Sequence, residues 1–377
     1  MDLSIIIVNY HSAFYTLRAI ASVLAQEIDS EGGGRGTVEV LVIDNGSPPE
    51  DQARLDSLPE SVRLILNDTN RGFAAAVNQG LREAQGNFLC LLNPDTHLFP
   101  DALQRLMEHL RLHPDVAACG PRAWLDEERT FLLPVIRAPS PGSMILESLA
   151  RLNYRLARTV CASWHRRDLT LWCASVPMTV ETLSGACLMT RRTILDQVGE
   201  FDPAYPLYYE DADWCRRARH HGYRLAYVPS AKIVHYHNQS AQTASAQSRQ
   251  WMMQSRNNYL RKQFGRCRAA LCGALCAAPG ALARFWHPAS PRYLYHDLGS
   301  LQEPPRFGAT HSVGERQVLF EISRHWNFAL KIAAFRTTPE LCIPAPVWKR
   351  LEPGRYYTRL VDLATLREEM IWSWQKV

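Results

Sequence analysis

The chain lacks the marks of several large protein classes. No Gly-x-Gly-x-x-Gly follows its first apolar run, and no Gly-x-x-x-x-Gly-Lys-Ser/Thr occurs anywhere. The usual dinucleotide and P-loop phosphate cradles are therefore absent. Its ten cysteines are scattered, without Cys-x-x-Cys pairs or zinc spacing, and a reduced cytosolic setting is the simplest reading. The apolar stretch at the start is only about six residues and shows no cleavage pattern, which argues against a signal peptide. Cys267 to Trp286 is apolar, but Arg268, Pro279 and Arg284 interrupt it, and it is short for a membrane span. The formal net charge is +5 and the pI about 8.7. No nucleic-acid motif accompanies that charge, so no nucleic-acid partner is expected. At 46% hydrophobic residues the chain is not disordered, and 377 residues allow two or three domains with a large core.

What is present is a series of apolar runs that end in polar residues. Leu3 to Val8 reads as a strand, followed by Asn9-Tyr10-His11-Ser12 and a helix with Phe14, Leu17, Ile20 and Leu24 on one face. Val38 to Ile43 ends in Asp44-Asn45-Gly46-Ser47. Val62 to Leu66 runs into Asn67-Asp68-Thr69-Asn70-Arg71-Gly72, and a helix follows from Phe73. Phe88 to Leu92 leads to Asn93-Pro94-Asp95, Pro100 to Leu112 makes another helix, and Val116 to Cys119 a fifth strand. Alternating strands and helices predict an α/β fold, a mostly parallel sheet with helices on both faces. Ligands of such sheets bind outside the strand C-termini, so Tyr10, Asp44, Asn70 to Gly72 and Asp95 are expected to converge on one crevice.

A ring at Tyr10 can stack on a base, and a carboxylate at Asp44 can bind a base or ribose edge. Asp95 can hold Mg²⁺ or Mn²⁺ against phosphates, since these ions take oxygen ligands from one or two carboxylates plus substrate. The set suits a metal-carried nucleoside diphosphate. Asx-Pro-Asp after a strand is also ordinary turn chemistry. Further on, Phe201-Asp202-Pro203 leads into Tyr208-Tyr209-Glu210-Asp211-Ala212-Asp213-Trp214, the start of a helix. Three carboxylates there also suit the positive end of a helix dipole. A short strand, Leu225 to Val228, precedes Val234-His235-Tyr236-His237.

Taken in order, these segments resemble family 2 glycosyltransferases of the GT-A fold, in the branch that contains bacterial rhamnosyltransferases. The matching residues run along Met1 to about Ser240. They include Ile5 to Tyr10, Val42 to Ser47, Asn70 to Asn78, Leu91 to Asp95, Ser184-Gly185-Ala186-Cys187, Phe201-Asp202, Glu210 to Asp213 and the His235 to Ser240 segment. The resemblance implies nucleoside or donor contacts from Asn9, Tyr10, Asp44, Asn70, Gly72, Asn78 and Asn93. It implies metal contacts from Asp95 and His235, with His237 as the second choice. It makes Asp211 the catalytic base, with Glu210 beside it. Gly185, Asp213 and Trp214 are assigned to the acceptor side. One departure is that Asn93 stands where the family's Asp-x-Asp motif has its first carboxylate. An amide carbonyl can coordinate but carries no charge.

The implied activity is inverting, metal-dependent transfer of a sugar from a nucleoside diphosphate, dTDP-rhamnose or a UDP-sugar. The implied acceptor is a hydroxyl of a surface polysaccharide or lipid-linked glycan on the cytoplasmic face. A binding protein on the same fold, without turnover, is the alternative. Three regions are expected: a catalytic domain over 1–240, a basic amphipathic helical linker over 241–290, and an all-β module over 291–377. In the linker Arg249, Arg256, Arg261, Lys262 and Arg266 interleave with Trp251, Tyr259 and Phe264. That pattern fits peripheral contact with an anionic membrane face, or a helix packed on the catalytic domain. Ser143 to Thr159 reads as an amphipathic basic helix, and Trp172 as an acceptor-stacking ring or a core residue. In the last region, Leu351-Glu352-Pro353-Gly354-Arg355-Tyr356-Tyr357 resembles the tyrosine corner of fibronectin type III sandwiches, with Tyr357 as the corner residue.

Overall fold

In the computed structural model the described residues are 1–30, 32–150, 154–236, 245–282, 295–308, 317–337, 340–366 and 368–377. They form two units.

The first unit opens with four parallel strands: β1 (Leu3–Asn9), β2 (Val38–Asn45), β3 (Val62–Asn67) and β4 (Phe88–Leu92). Between them lie α1 (Ala13–Leu24), α2 (Pro49–Leu55) and α3 (Phe73–Glu83). Next come β5 (Thr96–Leu98), α4 (Ala102–Leu112) and β6 (Val116–Trp124). After α5 (Pro141–Ala150) and α6 (Tyr154–Trp172) the chain continues with β7 (Met178–Val180), β8 (Cys187–Arg191), α7 (Arg192–Val198), α8 (Glu210–His220) and β9 (Arg224–His235). The nine-stranded sheet has the order β3-β2-β1-β4-β8-β6-β9-β5, with β7 paired to β9. Beyond β4, strand β8 runs antiparallel to both β4 and β6, and β9 runs antiparallel to β5 and β7.

Strand alternation divides the core into two layers. Leu3, Ile5, Ile7, Val40 and Val42 pack on Ala19, Ile20 and Val23 of α1 and on Leu103, Leu106 and Leu110 of α4. Ile6, Val8, Leu41 and Ile43 pack on Ala74, Val77 and Leu81 of α3 and on Trp214, Cys215 and Ala218 of α8. Helix α3 lies very close to the sheet, because a Cβ at Gly80 would meet Ile6 Cγ2 at 2.6 Å and Ile43 Cδ1 at 2.7 Å. This parity decides what each strand end presents. Asn9 and Asp44 are register partners on the α1 face. Tyr10 and Asn45 fall on the α3 face.

The basic segment forms α9 (Ser245–Phe264) and α10 (Arg266–Leu282). All of α9 belongs to the first unit. Its Tyr259 is buried, its Lys262 binds Asp202 and Asp213 at 2.6 and 2.9 Å, and Arg216 lies 4.5 Å over the ring of Phe264. Three members of the basic and aromatic set are therefore engaged inside the unit, which favours a packed helix over a membrane-facing one. Among the described residues no helix is long and apolar enough to cross a membrane.

The second unit is built from 124–135, 140–173 and 270–377. It contains β10 (His296–Leu301), β11 (Arg306–Gly308), β12 (Val318–Ser323), β13 (Ile332–Arg336), β14 (Glu340–Cys342), α11 (Ala345–Arg350), β15 (Gly354–Asp362) and β16 (Glu368–Lys376). Five strands form a sheet of order β10-β16-β15-β12-β13, and β11 pairs with β14. Phe307 and Leu341 of the small sheet share a core with Phe320, Tyr356, Trp372 and Trp374 of the large one. The inward tyrosine here is Tyr356, not the expected corner residue Tyr357. Tyr356 Oη donates to the Glu352 carbonyl at 2.8 Å and its ring stacks on Trp374. Alternation turns Tyr356 inward and leaves Tyr357 half-buried.

The first unit takes in 1–123, 136–139 and 174–269. The stretch read as one amphipathic basic helix, Ser143 to Thr159, overlaps α5 and α6, and both belong to the second unit. The reason is a buried set of charges. Asp168 and His165 on α6 meet Lys331 and Glu321, and Arg359 binds Glu321 and Glu368. Glu321, His165, Asp168, Lys331 and Arg359 are all buried. Burial alone would raise the Glu321 pKa, but Arg359 and Lys331 hold it down at about 2. Trp172 is a core residue here. It packs with Trp124, Leu132, Leu319 and Val361, and its Nε1 donates to the Leu133 carbonyl at 3.0 Å.

Candidate active site

The crevice at the sheet's C-terminal edge holds a cavity of about 290 Å³. Its floor is Val8, Tyr10 and Asn45, all on the α3 face of the parallel strands. Asn70 enters from the β3–α3 loop. Asn45 fixes that loop: its Nδ2 donates to Asn70 Oδ1 at 2.9 Å and its Oδ1 accepts from the Arg71 amide at 3.2 Å. Gly72 then turns the chain into α3 with φ +85, and a Cβ there would meet the Pro206 backbone at 3.1 Å. Such a φ and such a contact both require glycine. Sequence reasoning quoted Asn45 without giving it a task. Its signal was parity with Tyr10.

The β4 end brings Asn93 and Asp95 to the cavity, and the β9 end brings His235. His235 Nε2 lies 3.1 Å from Asp95 Oδ1 and 3.5 Å from Asn93 Nδ2. Antiparallel pairing of β5 with β9 sets Thr96 opposite His235, which is why two segments 140 residues apart in sequence meet here. The runner-up, His237, lies outside the described residues. The donor set of one carboxylate, one imidazole and one amide fits a divalent cation that takes its remaining ligands from diphosphate and water. Among the described residues no cluster of three His, Cys, Asp or Glu side chains stands ready to hold a metal. A metal would therefore depend on the nucleotide for much of its coordination.

The third part is the start of α8. Glu210, Asp211 and the Ser184-Gly185-Ala186 loop line the cavity. Asp211 Oδ2 accepts the Gly185 amide at 2.9 Å, and Oδ1 accepts the Ala212 amide at 2.7 Å. Burial raises the Asp211 pKa above the usual carboxylate range, and these amides pull it part of the way back. Glu210 is 5% exposed, and its Oε2 has no hydrogen-bond partner among the described residues. Burial, then the charge of Asp211, push its pKa well above the ordinary value. The turn into α8 is strained. Tyr208 and Tyr209 both have left-handed backbones, at φ +64 and +71. Two such non-glycine residues in a row cost on the order of 1–3 kcal/mol each, and strain of this kind concentrates at functional sites.

Five residues assigned to the site from sequence are held elsewhere. Asn9 is buried, with Nδ2 on Asp44, Ser47 and Asp51 and Oδ1 accepting from Ser12 and Thr16. Asp44 is likewise buried and accepts from Asn9, the Ser47 amide and Gln52. Both hold the first two loops in shape from the α1 face. Asn78 pairs with both backbone groups of Phe201, at 2.7 and 3.0 Å, and borders a separate cavity of about 500 Å³. Trp214 is a core ring, stacked on Phe201, with Nε1 donating to the Gly199 carbonyl. Asp213 is buried and accepts from Tyr205 Oη, Gln263, Arg217 and Lys262. Conversely, Pro206 to Tyr208 and the α9 residues Gln247, Ser248 and Trp251 line the crevice without having been assigned to it.

Comparison with known proteins gives the family of the chain. Residues 143–298 match the family described as Glycosyl transferase family group 2. An N-acetylglucosaminyl-diphospho-decaprenol L-rhamnosyltransferase of Mycobacterium tuberculosis is 30% identical over 220 residues, 53% of this chain and 66% of that protein, just under two thirds of its length. A low-salt glycan biosynthesis hexosyltransferase of Haloferax volcanii is 25% identical, over 69% of this chain and 75% of its own. A rhamnosyltransferase of Escherichia coli is 24% identical, over 52% and 69%. Among solved structures, a mannosyltransferase of Pyrobaculum calidifontis in complex with GDP-Man and Mn²⁺ is 18% identical, covers 75% of each chain and gives a TM-score of 0.47. Residues 4–199, more than half of the chain, match Glycosyl transferase family 2, and the protein therefore belongs to family 2 of the glycosyltransferases and has their GT-A fold.

Proposed function

We propose that the protein is an inverting, metal-dependent glycosyltransferase. It moves a sugar from a nucleoside diphosphate to a hydroxyl of a glycan or lipid-linked saccharide. The observation that carries this reading is a partly buried carboxylate, Asp211, fixed by the Gly185 amide in the same cavity as the Asp95–His235 pair. Names of the relatives favour rhamnose, with dTDP-rhamnose or a UDP-sugar as donor.

The reaction is one in-line displacement at the anomeric carbon. Asp211 takes the proton of the attacking hydroxyl. Its two backbone N–H bonds fix the direction of the carboxylate, and its raised pKa makes it a stronger base. Tyr10 offers a ring to the base, and the Asn45–Asn70 loop borders the nucleoside. Asp95, His235 and the Asn93 amide would hold a divalent cation, which when bound would stabilise the negative charge of the departing diphosphate. With Asn93 uncharged, Asp95 carries the only full negative charge among these three.

Asp211→Asn tests the assignment. Transfer should fall by about 10²–10⁴-fold, the range for losing a general base. Binding of the nucleoside diphosphate, read by calorimetry, should stay within about threefold, roughly 0.6 kcal/mol. Undiminished transfer would remove Asp211 as base.

A further inference from the structure

The donor-side reading leaves part of the crevice wall without a task. That part is the strained Tyr208 turn and the first two turns of α9, where Gln247, Ser248 and Trp251 face the cavity. Tyr208 is 40% exposed although it is large and aromatic, and Trp251 is half-buried. Among the described residues Trp251 has no aromatic or cationic neighbour stacked on its ring. It is not what docks α9 either. Docking falls to the far end of the helix, through Asn258 to the Ala204 carbonyl, buried Tyr259, and Lys262 and Gln263 to Asp213. Asp213 sits two residues after the base on α8, so the helix that carries Trp251 is pinned to the helix that carries Asp211.

Resting on the transferase reading above, we propose that Trp251, with the Tyr208 ring, is a stacking platform for a pyranose ring of the acceptor. Gln247 and Ser248 are the partners of that ring's hydroxyls. A pyranose has an apolar C–H face and a polar rim, and the wall offers flat rings beside an amide and a hydroxyl, which matches both. A lipid tail would leave those polar groups facing hydrocarbon at a cost. A nucleobase is already provided for by Tyr10 at the other strand ends.

The test uses the full chain and saturation-transfer NMR with methyl β-N-acetylglucosaminide, methyl α-rhamnoside and methyl α-mannoside, each with UDP and Mn²⁺. Wild-type protein should transfer saturation to at least one glycoside. Trp251→Ala should weaken that binding about fivefold or more, and Trp251→Phe, which keeps a ring, should restore most of it. A parallel thermal scan reads the shift produced by UDP or dTDP, which should be the same in all three proteins. Equal glycoside binding in Trp251→Ala, or no binding by the wild type, overturns the platform. Loss of the nucleotide shift in Trp251→Ala overturns it differently, by making Trp251 a donor residue. A wild type that no nucleoside diphosphate stabilises sinks the transferase reading itself, and the platform with it.

Discussion

Replacing Asp213 by Asn removes one charge from the centre of the α8–α9 junction. Four donors converge on this carboxylate: Tyr205 Oη at 3.1 Å and Gln263 Nε2 at 2.6 Å on one oxygen, Arg217 Nε at 3.0 Å and Lys262 Nζ at 2.9 Å on the other. The new amide nitrogen cannot face Arg217 and Lys262, which only donate. It will instead face Tyr205 and Gln263, whose hydroxyl can turn and whose carboxamide can flip. Two cationic donors then meet a neutral oxygen. A charge-assisted bond is stronger than a neutral one by about 1 kcal/mol, so the loss is about 2 kcal/mol. Removing a partner from a fully buried pair costs more, about 3–5 kcal/mol. The smaller figure applies because Lys262 keeps Asp202 at 2.6 Å and Arg217 keeps the Val198 and Glu200 carbonyls. Calorimetry should show a melting temperature lowered by about 4–8 °C. Asp202→Asn is the control, since that carboxylate is partly exposed and its pair with Lys262 contributes at most about 1 kcal/mol. If Asp213→Asn melts no lower than Asp202→Asn, the junction is not held by this residue and the pinning of α9 to α8 fails with it.

Other outcomes follow from the same geometry. Asp95→Ala should abolish the gain in nucleotide affinity that Mn²⁺ gives the wild type, measured by titration calorimetry with and without EDTA; a gain left intact would place the metal elsewhere. The second unit should be acid-sensitive. Glu321 titrates at about 2 in the fold against 4.5 when free, so the unfolded chain takes up the proton first. Its contribution is fully present above about pH 4.5 and is lost as pH falls toward 2, on the order of 3 kcal/mol in all. Urea midpoints between pH 6 and 3 should fall, and fall less in Glu321→Gln; equal slopes for both proteins would clear Glu321 of the effect.

The parallel half of the sheet and its strand ends were legible because buried parallel strands are nearly all apolar and their polar ends stand out. Tyr10, Asn70, Asn93 and Asp95 were legible for the same reason, whereas Gly185, Glu210, Asp211 and His235 were assigned through the family resemblance; all eight line the cavity. What a motif does not disclose is which of its polar residues faces the ligand. Asn9-Tyr10 and Asp44-Asn45 each divide between the two faces of the sheet, and in each pair the residue on the α3 face reaches the cavity. The core parity of β1 and β2 would have sorted them, since Ile6, Val8, Leu41 and Ile43 already mark that face. Asp213 and Trp214 follow the same logic on a helix. Asp213, two positions past Asp211, points about 200° round the helix from it, and Trp214 is drawn into the core against Phe201. The α9 wall carried no readable signal, because a Trp amid basic residues fits a membrane surface as well as a sugar. The mixed second unit was hidden for another reason: its buried charges join residues more than 150 positions apart, and no local pattern announces a pair such as Asp168 and Lys331.

The three-stretch construction of that second unit has a consequence for biosynthesis. Trp124, Leu132 and Trp172 leave the ribosome long before Leu319, Ala333 and Val361, the residues they pack against. At roughly 5–20 residues per second, about 200 residues of further synthesis keep them waiting some 10–40 s. During that interval their rings and the charges of His165 and Asp168 have no native cover, so the nascent chain offers a timed client site to chaperones. A stop at residue 290 would make that interval permanent. Loss of the C-terminal strands would then register first as aggregation of the first 290 residues rather than as a missing accessory activity.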